Sequence, residues 1–419
     1  MNSKLKYKIK NNSSIKPFLI SDKIFNSLEI IKNGTKELLL EEELIKKLIR
    51  SENTNKPLRI KLGFDPTSPD IHLGHIIVLD KLHQLQNLGH QVIFLVGDFT
   101  AIIGDPTGKN ITRPLLTDEQ INFNAQTYFS QISLILDIEK TKICYNSKWC
   151  NKLSAKDIIK LTSCYNVARM MERDDFTKRY KNGISISIHE FLYPLIQGYD
   201  SVALKSDLEL GGVDQKFNLL IAREIQRNYF QEPQCTLTMP LLEGLDGIQK
   251  MSKSKDNYIG ITEPSNIMFA KIMSISDSMM WRYYELILKY SLNTISNFKT
   301  EIIAGKNPRD FKIILAKKIV TRFHSKSAAK NALYDFIKRS KGEIPDNIPE
   351  LEIHGAPFYI GNLLKKINLC PSISSALRMI EQRGIRVNGV IISDKNLQLN
   401  SGTFVLQVGK RKFIRVKLL

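Results

Sequence analysis

The sequence predicts an α/β protein: a parallel sheet with helices on its faces, followed by an all-helical segment and a small, basic α+β segment. Three observations carry that prediction. A strand–helix–strand pattern fills residues 58–96, the pattern after Pro264 is helical without interruption to about residue 340, and charge and periodicity both change after residue 353. Strand, helix and strand at this spacing form a right-handed βαβ unit. With 419 residues, the chain exceeds what one hydrophobic core holds, and roughly two to four domains are expected.

The chain is 42% hydrophobic and 25% charged, which suits a folded domain with a sizeable core. No stretch approaches the roughly 20 apolar residues that cross a bilayer, so no membrane partner is expected. Lys and Arg total 61 against 42 Asp and Glu, a net +19, which points to a polyanion such as RNA. A general excess of Lys, Ile and Asn of the kind AT-rich coding produces explains the global charge equally well, so its local distribution matters more. Five cysteines, at 144, 150, 164, 235 and 370, show no C-x-x-C spacing. That argues against a disulfide framework or zinc ribbon and fits a reducing cytoplasm.

In chain order, the first 20 residues carry Lys4, Lys6, Lys8, Lys10 and Lys16 and no acid. They lack the arginines of a transit peptide, so residues 1–25 read as a basic, disordered extension. Residues 58–62 form a strand, and Gly63-Phe64-Asp65-Pro66-Thr67-Ser68-Pro69 a loop. Asp70 is placed as the N-cap of a helix over 71–88 that Gly89 stops. Residues 92–96 form a buried strand ending at Gly97-Asp98. Ligands of such sheets sit at the carboxyl ends of the strands, where the two histidines and Asp98 fall. Helices follow near 117–136, 154–171 and 188–200, then a turn at 208–212 and a helix over 214–228. Acids and prolines between Pro345 and Pro357 mark a linker. Residues 353–419 hold 11 basic and 2 acidic residues, a net +9. Within them a basic amphipathic helix over 374–383 stops at Gly384, and Asn388-Gly389 turns a β-hairpin. A solvated basic face is the plain reading of this segment; compactness and charge together favour RNA binding.

Two short stretches carry chemistry. Asp70-Ile71-His72-Leu73-Gly74-His75 sets two imidazoles on one helical face with a glycine between them, where a flat ring can approach. Lys250-Met251-Ser252-Lys253-Ser254 sets two ammonium groups on a small polar loop suited to phosphate oxygens. Together they suggest ATP held for attack at its α-phosphate, a displacement that needs charge stabilisation and no protein nucleophile. Helix N-terminal amides near Asp70 add a positive dipole end. Paired histidines can also form a cap or part of a metal site, but no third ligand lies near, so no metal is expected. Gly104-Asp105-Pro106-Thr107-Gly108-Lys109 is too short for a Walker A loop and Asn110 replaces its Ser/Thr. The Asp105 carboxylate suits a substrate ammonium, with a structural Asp-Pro turn as the competing reading.

These residues resemble a class I aminoacyl-tRNA synthetase, and more closely the tyrosyl enzymes of bacterial type, from about residue 25 onward. His72-Leu73-Gly74-His75 is similar to the family's HIGH signature, and 250–254 matches KMSKS letter for letter. Gly211-Gly212-Val213-Asp214-Gln215 and the stretch from Tyr193 to Asp200 resemble its ribose and tyrosine elements. The chain's end resembles an S4-type RNA-binding domain. The resemblance implies a Rossmann-like nucleotide-binding catalytic domain over 26–264, a helical anticodon-side domain over 265–344, a linker over 345–352 and an S4-like domain over 353–419.

It implies a tyrosine–tRNA ligase that forms tyrosyl-adenylate and passes the tyrosyl group to the 3′ end of tRNA(Tyr), with ATP as substrate, Mg²⁺ accompanying it, a homodimeric assembly and a cytoplasmic location. By position, Thr67, His72, His75, Lys250 and Lys253 would be catalytic. Gly63, Asp65, Gly74, His75, Asp214 and Lys253 would bind ATP. Tyr193, Gln197 and Asp105 would hold the substrate ammonium, Gln215 would bind tyrosine, and Asp200 would accept from the phenol. Arg378, Arg383, Arg386, Lys410, Arg411 and Lys412 would bind RNA. Tyr193, Gln197 and Asp200 stand at i, i+4 and i+7 and share one helix face. One departure stands out: some family members have a tyrosine where this chain has Lys61, which leaves open a second contact to the substrate hydroxyl. Rival readings are a tryptophanyl or other HIGH-containing nucleotidyl transferase, disfavoured by residues 211–215 and Asp200, and a non-catalytic RNA-binding paralogue, disfavoured by the intact histidines and lysines.

Overall fold

The computed structural model describes residues 4–11, 14–67, 69–107, 116–341, 348–409 and 412–419. Internal packing divides the chain into one unit of residues 1–263 with 275–306, and a second of 264–274 with 307–419. The helical segment expected over 265–344 is therefore shared between the units, because the Asp277–Leu286 and Leu292–Ile303 helices group with the sheet.

The first unit opens with a two-stranded antiparallel hairpin, β1 (Lys4–Asn11) and β2 (Ser14–Ser21), where the sequence implied a disordered extension. Lysines alternate with Leu5, Tyr7 and Ile9 here, and that period of two is a strand pattern as much as a charge run. Its main sheet comprises β3 (Glu37–Leu39), β4 (Arg59–Phe64), β5 (Gln91–Val96), β6 (Thr141–Tyr145), β7 (Leu208–Gly212) and β8 (Cys235–Met239). The strand order is β3-β8-β7-β4-β5-β6, with β3 antiparallel and the other five parallel. Segment 208–212 is a strand, not the turn its two glycines suggest. Strands in the middle of a parallel sheet are covered on both faces, so they show no polar alternation to announce them.

The helix joining β4 to β5 spans Leu73–Asn87, and its N-cap is His72 rather than Asp70. It stops where expected, with Gly89 at φ +88°. The expected 154–171 helix is split into Ala155–Thr162 and Val167–Met170, because the Asn166 side chain accepts from Arg169 N at 2.8 Å and starts the second anew. The Ile188–Leu204 helix is pinned at its start by a buried two-pronged pair, Arg179 Nη1 and Nη2 on Glu190 at 2.5 and 2.9 Å. Its Gly198 faces the Lys216–Asn228 helix so closely that a Cβ would lie 2.5 Å from Ile225 Cδ1 and 3.1 Å from Ala222 Cα.

In the second unit, helices Ser265–Ser274, Pro308–Phe323 and Lys326–Lys341 pack through Met268, Phe269, Leu315, Ile319 and Ala332. A small α+β body follows. Its strands are β9 (Glu350–Ile353), β10 (Phe358–Tyr359), β11 (Ile385–Val387), β12 (Val390–Ile391), β13 (Gln398–Leu399), β14 (Gly402–Val408) and β15 (Lys412–Leu418). Five of them form a sheet in the order β12-β11-β14-β15-β9. The end of the expected linker is thus strand β9, parallel to β15, and the linker's residues 345–347 lie outside the described residues. The basic helix spans Ile373–Glu381, and Arg383, not Gly384, takes the left-handed conformation after it (φ +56°). Asn388 and Gly389 both have positive φ, as a two-residue hairpin turn requires.

Gly198→Val is expected to cost about 1–3 kcal/mol through overpacking between the two helices. A denaturant midpoint unchanged from that of the unsubstituted protein would show that the helices separate freely.

Candidate active site

Strand β4 ends at Phe64, and the chain then bends so that Thr67 N donates to Asp65 O at 2.8 Å. A cavity of about 730 Å³ opens at the carboxyl ends of β4 and β7. Gly63, Asp65, Thr67, His72, Gly74, His75, Asp105, Tyr193, Gln197, Asp200, Asp214, Gln215, Lys250 and Lys253 all line it. Asp98 does not: its carboxylate accepts from Ser147 N at 2.9 Å and Ser147 Oγ at 2.5 Å, at the first residue of the short Ser147–Cys150 helix.

The two imidazoles stack, with centroids 3.7 Å apart and planes 18° off parallel. His72 N–H donates to His75 Nδ1 at 3.3 Å. Gly74 permits this, since a Cβ there would stand 3.1 Å from the His72 ring. Phe64 meets His75 edge-on at 5.1 Å. Burial, with the Lys253 ammonium second, pushes His72 down to about 3. Burial and the adjacent His72 hold His75 well below the ordinary imidazole range. Both rings are therefore neutral near pH 7, each with one N–H to donate and one lone pair.

The lysine loop is tied at both ends. Gly244 N donates to Gln249 O and Met251 N to Leu242 O, each at 2.8 Å, and Ser252 N donates to Asn257 Oδ1 at 2.8 Å. Beyond it, Ile259 O accepts from Leu73 N and Ile261 N donates to Ile71 O, each at 2.9 Å, which fastens the loop's exit to the start of the histidine helix. Lys250 pairs with Asp214. Lys253 Nζ stands 3.6 Å from Asp70, and its burial lowers its pKa while Asp70 opposes the shift.

At the tyrosine-type elements, Asp65 accepts from Thr100 Oγ1 at 2.7 Å and Tyr193 OH at 2.8 Å. Asp105 accepts from Gln215 Nε2 at 2.7 Å, from Thr107 N at 2.9 Å and from Arg173 at 3.4 Å. Gln197 Oε1 is buried without a hydrogen-bond partner. It is one of several such atoms among the described residues, and, lining the cavity beside Asp200, it can accept from a donor there. Asp200 is buried and accepts from Trp149 Nε1 at 2.8 Å and Asn146 Nδ2 at 3.2 Å. Burial pushes its carboxyl up to about 7, with Lys61 opposing.

The model of class I tRNA synthetases of the W and Y type matches residues 52–340, and that of the S4 domain residues 362–405. A tyrosine–tRNA ligase of Burkholderia thailandensis is 62% identical over 401 residues, covering 96% of this chain and 97% of that one. The chain belongs to the tyrosyl-tRNA synthetase family. A tyrosine–tRNA ligase of Ralstonia nicotianae is 61% identical over 93% of this chain and 100% of its own. Among solved structures, the tyrosyl-tRNA synthetase of Archaeoglobus fulgidus complexed with L-tyrosine aligns with TM-score 0.59 and 26% identity, over 74% of this chain and 99% of that one. The truncated mitochondrial tyrosyl-tRNA synthetase of Aspergillus nidulans, 20% identical with TM-score 0.60 over 75% and 93%, shares the fold.

Against this tyrosyl-tRNA synthetase frame, several residues that touch the site's carboxylates carry no sequence signal of their own. Arg173 braces Asp105 and donates to Thr107 Oγ1 at 2.6 Å; Asn146 and Trp149 hold Asp200; Glu209 meets Lys61. In the S4-type segment, Arg378, Arg383 and Lys412 are exposed and Arg386 is half-buried, while Lys410 and Arg411 lie outside the described residues.

Gly74→Val is expected to drive the imidazoles apart and lower the rate of tyrosine-dependent ATP–pyrophosphate exchange about 10²-fold with circular dichroism unchanged. A rate within twofold of the unsubstituted protein would show that the stack is not needed.

Proposed function

We propose that this chain carries out tyrosine–tRNA ligation with fourteen of the residues that line its cavity, and that their convergence on one site is the observation that carries the reading. The tyrosine carboxylate attacks the α-phosphorus of ATP, and pyrophosphate leaves with the bridging electron pair. A hydroxyl of the terminal adenosine of tRNA(Tyr) then attacks the acyl carbon and releases AMP.

Thr67 and the neutral His72 donate to the α-phosphate oxygens as charge grows there. Lys250 and Lys253 hold the departing pyrophosphate. His75, Gly74 and Gly63 support the adenosine, and Asp214 accepts from its ribose, so Lys250 exchanges its Asp214 partner for phosphate. Asp65 steadies the Tyr193 hydroxyl beside the nucleotide. Tyr193, Gln197 and Asp105 hold the substrate ammonium, with the unpartnered Gln197 Oε1 as a ready acceptor and Gln215 bridging to Asp105. Asp200 accepts the phenol hydrogen, a bond that phenylalanine cannot make. ATP enters with Mg²⁺ on its phosphates. The binding groups act by favouring the transition state over the substrates.

Arg378, Arg383, Arg386, Lys410, Arg411 and Lys412 bind the tRNA backbone, with helices from the 265–344 segment on the anticodon side. The active assembly is a cytoplasmic homodimer. Among the described residues, no helix is long and apolar enough to cross a membrane.

Exchange measured with tyrosine, phenylalanine and tryptophan tests the reading: tyrosine alone is expected to support it, and Asp200→Asn to weaken it about 10–100-fold. Exchange with tryptophan would transfer the chain to the sister specificity, and bound tRNA without exchange would favour a binding paralogue. Replacing Arg378, Arg383 and Arg386 together by alanine is expected to raise the KM for tRNA and flatten its salt dependence while leaving exchange untouched. A parallel loss of exchange would place these arginines in a structural role.

A further inference from the structure

Lys61 occupies the middle of β4 and is fully buried, directly opposite Glu209 of β7 in the parallel register. Its ammonium has three hydrogens. They meet Ser201 Oγ at 2.7 Å, Glu209 Oε1 at 2.9 Å and Gln197 O at 3.2 Å. Ser201 Oγ donates onward to Glu209 Oε2 at 3.1 Å, and Gln234 Nε2 donates to the same oxygen. The network is closed, so Lys61 has no hydrogen left for a substrate phenol.

Yet the pair lies beside Asp200: both residues line the same cavity, and Gln197 and Ser201, which hold Lys61, flank Asp200 on one helix. We propose that Lys61 is a positioning residue for phenol recognition, acting through its field: with Glu209 as counter-charge, it keeps the Asp200 carboxylate ionised and therefore an acceptor. This rests on the reading of Asp200 as the phenol acceptor. The groups facing Asp200 are Lys61 from β4, Glu209 from β7, the Cys150 thiol, and the neutral donors Asn146 and Trp149. Lys61 is the cation among them. Its attraction lowers the Asp200 pKa and Glu209 raises it, against the larger upward push of burial.

A carboxyl raised to about 7 loses its ionised form as pH falls through that value, so tyrosine selection has an acidic limb there. Without Lys61 the limb moves to higher pH; without Glu209 it moves to lower pH.

The test is the pH profile of kcat/KM for exchange with tyrosine and with phenylalanine, on the full chain, with thermal midpoints recorded for each variant. Lys61→Met is expected to move the acidic limb up by about one pH unit and to cut tyrosine-over-phenylalanine discrimination at pH 7 about fivefold, with recovery at pH 9. Lys61→Arg, which keeps the charge, is expected to leave the limb in place. Glu209→Gln is expected to move it the opposite way, a readout that survives if Lys61→Met fails to fold. A Lys61→Met profile lowered equally at every pH, with KM for tyrosine raised throughout, would overturn the proposal and make Lys61 a contact or packing residue. Glu209→Gln shifting the limb upward would overturn it as well. Asp200→Asn separates the two readings: if that variant keeps full discrimination, the assignment of Asp200 itself fails. If it loses discrimination while the Lys61 and Glu209 variants leave the limb unmoved, the field role fails.

Discussion

The catalytic unit depends on β4 being hydrogen-bonded along both edges, to β5 on one side and β7 on the other. Parallel pairing on both sides removes any freedom of register, because a slip by one residue would exchange the two faces of the strand. Ile60 and Leu62 would then exchange faces with the equally buried Lys61, and Lys61 would leave Glu209. The same pairing fixes where the chain leaves the sheet, at Gly63 and Phe64, and so where Asp65 and Thr67 enter the cavity. A buried ion pair is weak evidence for stability, since desolvation offsets much of the attraction. Its place here, at the meeting of the two strands whose ends form the site, fits specification better than strength.

The cavity divides its electrostatic work between two kinds of group. Lys250 and Lys253 bring full charge, while the stacked histidines stay neutral through burial and the lysines' field. Two further cations packed face to face would repel each other and the lysines; two neutral rings offer directed hydrogen bonds without that cost. Their neutrality is therefore a product of the packing that Gly74 allows.

Much of this was legible in the sequence, for identifiable reasons. The histidine and lysine stretches are contiguous, so the resemblance they carry is readable without any knowledge of the fold. The βαβ unit was legible because Gly89 and the apolar run at 92–96 punctuate it. The strand at 208–212 was hidden by Gly211 and Gly212, and β9 by its place among prolines and acids, since both gain their identity from partners far away in the chain. Asp70 looked the better cap than His72 by residue type; the backbone of the helix entry, tied to Ile259 and Ile261, decided otherwise. Arg173, Asn146, Trp149 and Glu209 had no local signal, because what they do depends on cross-chain contacts to Asp105, Asp200 and Lys61. The alternation of lysine with apolar residues at 4–10 carries a strand period that a count of charge alone hides.

The lysine loop illustrates how chain connectivity shapes the cost of ligand capture. Backbone bonds at Met251 and Ser252 hold one end, and those at Ile259 and Ile261 the other. The segment between them is short and already closed, so its ends explore little space relative to each other. Freezing such a segment around phosphate forfeits far less conformational entropy than ordering a free tail of equal composition. In the proposed reading, more of the attraction between ammonium and phosphate would thus be left to act on the nucleotide.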